Sequence, residues 1–405
     1  MKLGLIFLAF VFGCVATAFI RVAPENANAN NEPETVTAAA KEFTLSETQE
    51  ATQQVALDVA EESFGETSDG RTVKKFICTN SNGYVLEMMD YGASIVAMRI
   101  PGKGDEESVN VSLSCNDMAG YEACSSYFGS TIGRYCNRIA KGKFSVGEQQ
   151  YVLATNGGAN HLHGGSVGFD KKIWTSEIIK TDEAAGVRFT LTSPDGDEGY
   201  PGEVKVVAEY TLNENNELKM LFTATSDSET HVNICNHNYW NIAGAGSGSV
   251  MDHELMIASE EVLEFDESLI PTGKLLPIRD DAFLNYTKAK TIGSGMKAAP
   301  AGANGYDHCF VVKRNSPNEL ALLGSVKDPR SGRKMTVFTT QPGFQFYTSN
   351  HFNGQPGSGG FEKNGAVCFE TQGYPDTPNR PEFPTTLLKP GETMSHTTVH
   401  KFSYE

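Results

Sequence analysis

The chain is short of positive charge. Its 405 residues carry 33 lysines and arginines against 50 aspartates and glutamates, a formal charge of −17. Binding to nucleic acid needs basic surface that displaces counterions from phosphates, so this balance argues against that partner. Cysteine pairs are also missing. None of the eight cysteines stands in a CxxC pair, and Cys78, Cys115, Cys124, Cys136, Cys235, Cys309 and Cys368 are scattered through the chain after Cys14. That pattern is neither a zinc ligand set nor a regular disulfide framework. Several of these cysteines sit inside apolar strand patterns, where a buried free thiol is the expected role, although an exported protein could still close one or two bridges. No internal repeat aligns, and no long amphipathic helix is evident beyond residue 70. With 39% hydrophobic residues and 40 glycines the composition is otherwise globular.

The N-terminus reads as an export signal over residues 1–20. Lys2 is a short positive region, Leu3 to Val15 is apolar, and Ala16-Thr17-Ala18 offers a cleavage site. A retained membrane anchor is the alternative, because the apolar stretch reaches Ile20. Lipidation at Cys14 is disfavoured by the bulk of Phe12. The protein is therefore expected to be exported: periplasmic, extracellular, or tethered to a membrane by its N-terminus. Residues 21–70 read as an acidic, solvated linker, with eleven acidic residues against one lysine between Pro24 and Gly70. Ser46-Glu47-Thr48-Gln49 could cap a short helix running through Val55 and Val59.

From Val73 onward the apolar pattern has period two. In "EVKVVAEYTL" (203–212), Val204, Val206, Ala208, Tyr210 and Leu212 share a face; in "ELKMLFTAT" (217–225), Leu218, Met220, Phe222 and Ala224 do so. The turn-like "NENN" between them predicts an antiparallel hairpin. Similar runs lie at 84–89, 94–100, 173–180, 187–193, 307–312, 334–339, 344–348, 366–371 and 396–402. Residues 71–405 are thus expected to form one all-β domain, a large sandwich of extended antiparallel sheets. No membrane contact is expected of this domain.

Four stretches place unusual polar residues in or beside strands. "GSTIGRYCNRIAKGKF" (129–144) carries Arg134, Asn137 and Arg138. "NHLHGG" (160–165) carries His161 and His163, two apart and so on one side of an extended backbone. "NICNHNYWNIAG" (233–244) sets His237 among asparagines beside Tyr239 and Trp240. "AVCFETQGYPDTPN" (366–379) ends an apolar run on Glu370, which shares strand parity with Ala366, Cys368 and Gln372. A carboxyl emerging from that setting should have a raised pKa. Each signal is weak alone. His161 reads as a surface loop residue, the arginines as partners of surface acids, and Glu370 as a sheet-end carboxylate. No HxxxH or cysteine pair near His163 completes a metal site.

Together the stretches resemble the aldose 1-epimerases, or galactose mutarotases, over about residues 71–402. "SPDGDEGYPG" (193–202), "IPTGKLLPI" (270–278), "GYDHCFVV" (305–312) and "QPGFQFYTSN" (341–350) extend the likeness in the same chain order. The resemblance implies a large antiparallel β-supersandwich and an isomerase that interconverts α and β anomers of free hexoses such as D-galactose and D-glucose. It further implies that Glu370 is the general base, His237 the general acid and His163 a second active-site histidine. Arg134, Asn137, Asp307, Gln341 and Tyr239 would contact the sugar, and His161 would take no part. Asn238 and Trp240 depart from the family motif, and Trp240 could reshape the pocket.

The chemistry suits such a set. Ring opening needs a base for the anomeric proton and an acid for the ring oxygen, and closure reverses both transfers, so neither cofactor nor metal is called for. The protein is expected to act on its sugar as a monomer. Competing readings are a hexose-6-phosphate epimerase, which would need extra cations at the pocket rim, a non-catalytic carbohydrate-binding module, and a metal-dependent enzyme using His161 and His163.

Overall fold

A computed structural model describes residues 57–104 and 106–405. The expected export signal, the capping box at Ser46 and most of the acidic linker lie outside the described residues. Within them the fold is antiparallel β-sheet throughout, with two short helices, Met118–Ala123 and Ile292–Met296. No helix among the described residues is long and apolar enough to cross a membrane.

Three sheets do most of the building. The largest has nine strands, and the predicted hairpin supplies its third and fourth: Val204–Asn213 pairs with Glu217–Ser226, with Tyr210 opposite Met220 and Leu212 opposite Leu218. The C-terminal strand Met394–Tyr404 continues this sheet between Glu217–Ser226 and Arg333–Thr339. A second sheet is a five-stranded meander from Asp58 to Asn110. The third runs Pro271–Pro277, Glu261–Phe265, Asp307–Val311, Gly343–Tyr347, Cys368–Gln372. One apolar core joins all three: Phe76 and Leu86 from the meander, Phe189, Tyr210 and Phe402 from the large sheet, Phe344, Phe346 and Phe369 from the third.

Alternation along the third sheet creates two unlike faces. Phe310, Phe344, Phe346 and Phe369 point into the core, and Thr371 Oγ1 meets Thr398 Oγ1 of the large sheet at 2.6 Å. The residues between them, Asp307, Gln345, Tyr347, Glu370 and Gln372, therefore face the other way. Register aligns them: Gln345 lies opposite Glu370, and Tyr347 lies opposite both Asp307 and Cys368.

The domain begins before residue 71. Asp58–Glu66 is an edge strand paired to Thr72–Thr79, and Val59, expected in a short helix, belongs to it. Its exposed residues are acidic, with Glu61 and Glu62 bridging Lys74 and Lys75 at 2.8 and 2.7 Å. A bulge between Ser63 and Gly65 shifts the inward positions from Val59 to Phe64. Charge on an edge strand together with a bulge erases the period-two signal, so the segment reads as linker. Removing residues through Gly70 would strip this strand and part Phe64 from Tyr121, whose ring lies 5.6 Å away. We expect a chain starting at residue 71 to melt about 3–6 °C below one starting at residue 53, by differential scanning calorimetry; equal melting temperatures would mean the strand adds no stability.

Buried histidines give the fold an acid limit. His396 and His400 face the interior of the large sheet with no hydrogen-bond partner on either ring nitrogen. Burial pushes their pKa values down to about 4 and about 3. The unfolded chain binds these protons below about pH 6.5, whereas the folded chain refuses them. Their stabilising effect is present above that pH and lost as pH falls towards 4. Asp90 and Asp170, pushed up to about 6 by burial, act in the opposite sense and offset part of it. Histidines outnumber them, since His231 and His253 are also lowered to about 4. The melting temperature should fall between pH 6.5 and 4.5, and His400→Leu should flatten that slope; an unchanged slope would remove His400 from the account.

Candidate active site

The outward face of the third sheet forms one wall of a cleft of about 340 Å³. Glu370, 2% exposed, lies at its floor. Opposite, the short strand Cys235–Asn236 pairs with Thr131–Ile132 and leads into His237. Backbone bonds on both sides hold that histidine: its N–H donates to Ser130 O at 2.9 Å, and its carbonyl accepts from Gly129 N at 3.2 Å. His237 Nε2 then stands 3.5 Å from Glu370 Oε1.

His163 arrives by a turn. His161 and Leu162 pair with Ile139 and Arg138, but His163 has φ +52°, so extended geometry stops there. The two histidines consequently part. His161 is wholly buried, with Nδ1 2.8 Å from Ala154 O and Nε2 2.7 Å from the Tyr200 hydroxyl. It is thus neither a surface residue nor a cleft residue, and it cannot share a metal with His163. The ring of His163 meets that of His237, centroids 5.3 Å apart. Its Nδ1 accepts from Asn137 N–H at 3.3 Å, which assigns the proton of the neutral ring to Nε2. The glycines behind it are obligatory, because a Cβ on Gly164 (φ +83°) would lie 1.9 Å from Gly133 O. Asn137 and Tyr127, also lining the cleft, have φ +65° and +57°. Such strained backbone is characteristic of binding walls.

Aromatic rings flank the histidine of the pair. The imidazole of His237 lies between Tyr127, 5.7 Å away, and Tyr239, 5.0 Å away. Burial lowers the pKa of His237 to about 4 and holds that of His163 well below the usual histidine value. Burial, reinforced by Asp307, raises Glu370 well above the carboxylate range. Burial thus favours a protonated carboxyl beside a neutral imidazole over the ionic arrangement.

Placement sorts the remaining residues named from the sequence. Asn137, Asp307 and Tyr239 line the cleft. Arg134 does not. Its guanidinium is buried in a cage of carbonyls, donating to Pro201 O at 2.7 Å, Gly202 O at 2.8 Å, Ser193 O at 3.1 Å and Pro194 O at 3.0 Å. The arginine in the cleft is Arg138, which makes no side-chain hydrogen bond or ion pair with another described residue. Gln341 likewise lies elsewhere, in a separate cavity of about 590 Å³ lined also by Arg314 and His396. The glutamine that lines the cleft is Gln345, whose Nε2 donates to Asp307 Oδ1 at 2.5 Å. Parity with Phe344 and Phe346 was the available signal for it. Trp240 points into the core, 5.6 Å from Phe402, and shapes no part of the cleft. Asn238 Oδ1 accepts from Ser112 Oγ at 2.8 Å. Tyr127, Tyr347 and Phe352 complete the cleft and carry no sequence signal that marks them. His163, His237 and Glu370 each offer one atom within 4.8 Å of the others, the set a transition metal would meet here.

A hydrogen-bonding cleft with one carboxyl and one imidazole on its floor matches the comparisons with known proteins. The family model described as aldose 1-epimerase matches residues 74–401. Galactose mutarotase of Mus musculus is 41% identical over 344 residues, covering 84% of this chain and 97% of that protein. Aldose 1-epimerase of Escherichia coli is 33% identical over 343 residues, covering 83% and 97%. Among solved structures, galactose 1-epimerase from Lactobacillus acidophilus superimposes with a TM-score of 0.76 at 27% identity, covering 86% of this chain and 99% of that one. The antiparallel supersandwich and the ordered motifs thus have one explanation: the chain belongs to the aldose 1-epimerase family.

Proposed function

We propose that Glu370 and His237 interconvert the α and β anomers of free hexoses by passing one shared proton. The observation that carries this is their 3.5 Å separation, with both side chains buried, at the floor of the cleft. The couple holds one proton whether it rests as carboxyl with imidazole or as carboxylate with imidazolium. In the second state the carboxylate takes the anomeric hydroxyl proton while the imidazolium protonates the ring oxygen, and the C1–O bond of the ring breaks. That leaves carboxyl and imidazole, the state burial favours, facing an open-chain aldehyde. Rotation about C1–C2 presents the other carbonyl face, and closure returns both protons. His163, donor at Nε2, and Arg138, Asn137, Gln345 and Asp307 supply hydrogen bonds for the ring hydroxyls, while Tyr239, Tyr127 and Phe352 offer apolar faces.

A free sugar fits better than its 6-phosphate. Arg138 is the one cation among the cleft residues, and Asp307 and Glu370 share the space with it. A phosphate dianion would find no surplus of positive charge there. Retention of both proton-transfer groups distinguishes an enzyme from a passive carbohydrate-binding module.

Polarimetry of freshly dissolved α-D-galactose and α-D-glucose tests the assignment. Glu370→Gln and His237→Asn should each lower kcat roughly 10²–10⁴-fold with smaller effects on KM. The double variant should lose far less than the product of the two, since one relay is broken either way; normal rates in folded Glu370→Gln protein would remove that residue from the mechanism.

The two arginines should separate cleanly. Arg138→Lys is expected to raise KM with little change in melting temperature, whereas Arg134→Lys should lower melting temperature by breaking the carbonyl cage. The reverse pattern would return Arg134 to the sugar site.

The pH profile follows from the shared proton. Below about pH 4 His237 gains a second proton and the couple has no acceptor, so kcat/KM should fall there and hold steady from about pH 5 through neutrality. Dialysis against a chelator should leave the rate unchanged. Activity lost to the chelator and restored by zinc would assign His163, His237 and Glu370 to a metal instead.

A further inference from the structure

Two thiols stand beside Glu370 without entering the chemistry above. Cys136 Sγ and Cys235 Sγ are 2.6 Å apart, both side chains are wholly buried, and each lies within 4.8 Å of a Glu370 oxygen. Neither lines the cleft. Backbone bonding holds them in place. Cys136 N–H donates to Asn233 O at 2.7 Å, Asn233 Nδ2 returns to Cys136 O at 3.1 Å, and Cys235 pairs with Ile132. The contact is about 0.5 Å beyond a sulfur–sulfur bond, so small side-chain rotations would close it. Ninety-nine residues separate the two in sequence, so chain proximity does not account for the meeting.

We propose that Cys136 and Cys235 are joined by a disulfide when the chain folds under oxidising conditions, tying the segment that delivers Asn137 and Arg138 to the one that delivers His237. The oxidant is a small-molecule disulfide such as oxidised glutathione. One protein thiolate attacks it and releases one reduced thiol, and the second protein thiolate then displaces the other. Two protein thiols become one sulfur–sulfur bond, and one oxidant disulfide becomes two thiols. In the folded chain both groups are inaccessible and burial raises both thiol pKa values, so exchange is slow there. The bond belongs to the folding reaction and is retained afterwards.

The full chain should be unfolded in denaturant with reductant, then refolded either in a glutathione redox buffer or with reductant throughout. Each sample is then alkylated under denaturing conditions and mapped by peptide mass. The expected result is a linked peptide pair containing Cys136 and Cys235 in the oxidised sample alone, with a melting temperature about 5 °C or more above the reduced one. Cys136→Ala, Cys235→Ala and the double variant should share one melting temperature, indifferent to the redox buffer. Free, alkylated Cys136 and Cys235 in oxidatively refolded, active protein would overturn the proposal. So would thiols released for alkylation by a chelator alone, which would assign the pair to a metal. If refolding fails, protein secreted through an oxidising compartment is mapped in the same way, and free thiols at both positions there overturn the proposal equally.

Discussion

The site depends on withdrawing a carboxyl and an imidazole from water together. Each alone would be costly to bury in charged form. Side by side they can remain neutral, and their neutral state differs from their ionic state only by the position of one proton. Desolvation drives Glu370 up and His237 down, against the carboxylate with imidazolium that their ordinary pKa values favour. Ring opening and ring closing need the two arrangements in turn. The same two groups therefore serve ring opening and ring closing alike, which an anomer exchange requires.

Holding that pair is the work of the two-faced third sheet. Its inward phenylalanines pack on the large sheet, and its outward residues receive the sugar. This division was legible from the amino acids: the apolar runs appeared where strands now lie, and Glu370 stood out because it ended one of them on the parity of Cys368 and Gln372. His163, His237, Asn137, Asp307 and Tyr239 were legible too, through the family motifs that contain them.

What was not legible involved places where the backbone leaves strand geometry. Arg134 and Arg138 are four residues apart in one motif, and nothing local says which meets solvent and which meets carbonyls. The answer comes from the Ser193 to Gly202 segment, which closes around Arg134 from far along the chain. His161 and His163 part at a left-handed turn that a simple extended reading overlooks. Gln341 and Gln345 differ by strand position: Gln341 precedes the strand and opens onto another cavity, whereas Gln345 is inside it. The strand Asp58–Glu66 escaped because its charged outer side looks like solvated linker.

The alternation that makes Cys368–Gln372 serve core and cleft at once also restricts how this protein can change. One residue inserted there would exchange the faces, sending Glu370 into a layer of phenylalanines and bringing Phe369 and Thr371 into the cleft. Evolution or design could lengthen neither this strand nor Gly343–Tyr347 by one without losing both packing and chemistry. The segment from His351 to Ser358 carries no such restriction. It borders the same cleft from outside the sheet, with His351, Asn353 and Gln355 exposed. New sugar preferences can be written into that rim while the floor keeps its register.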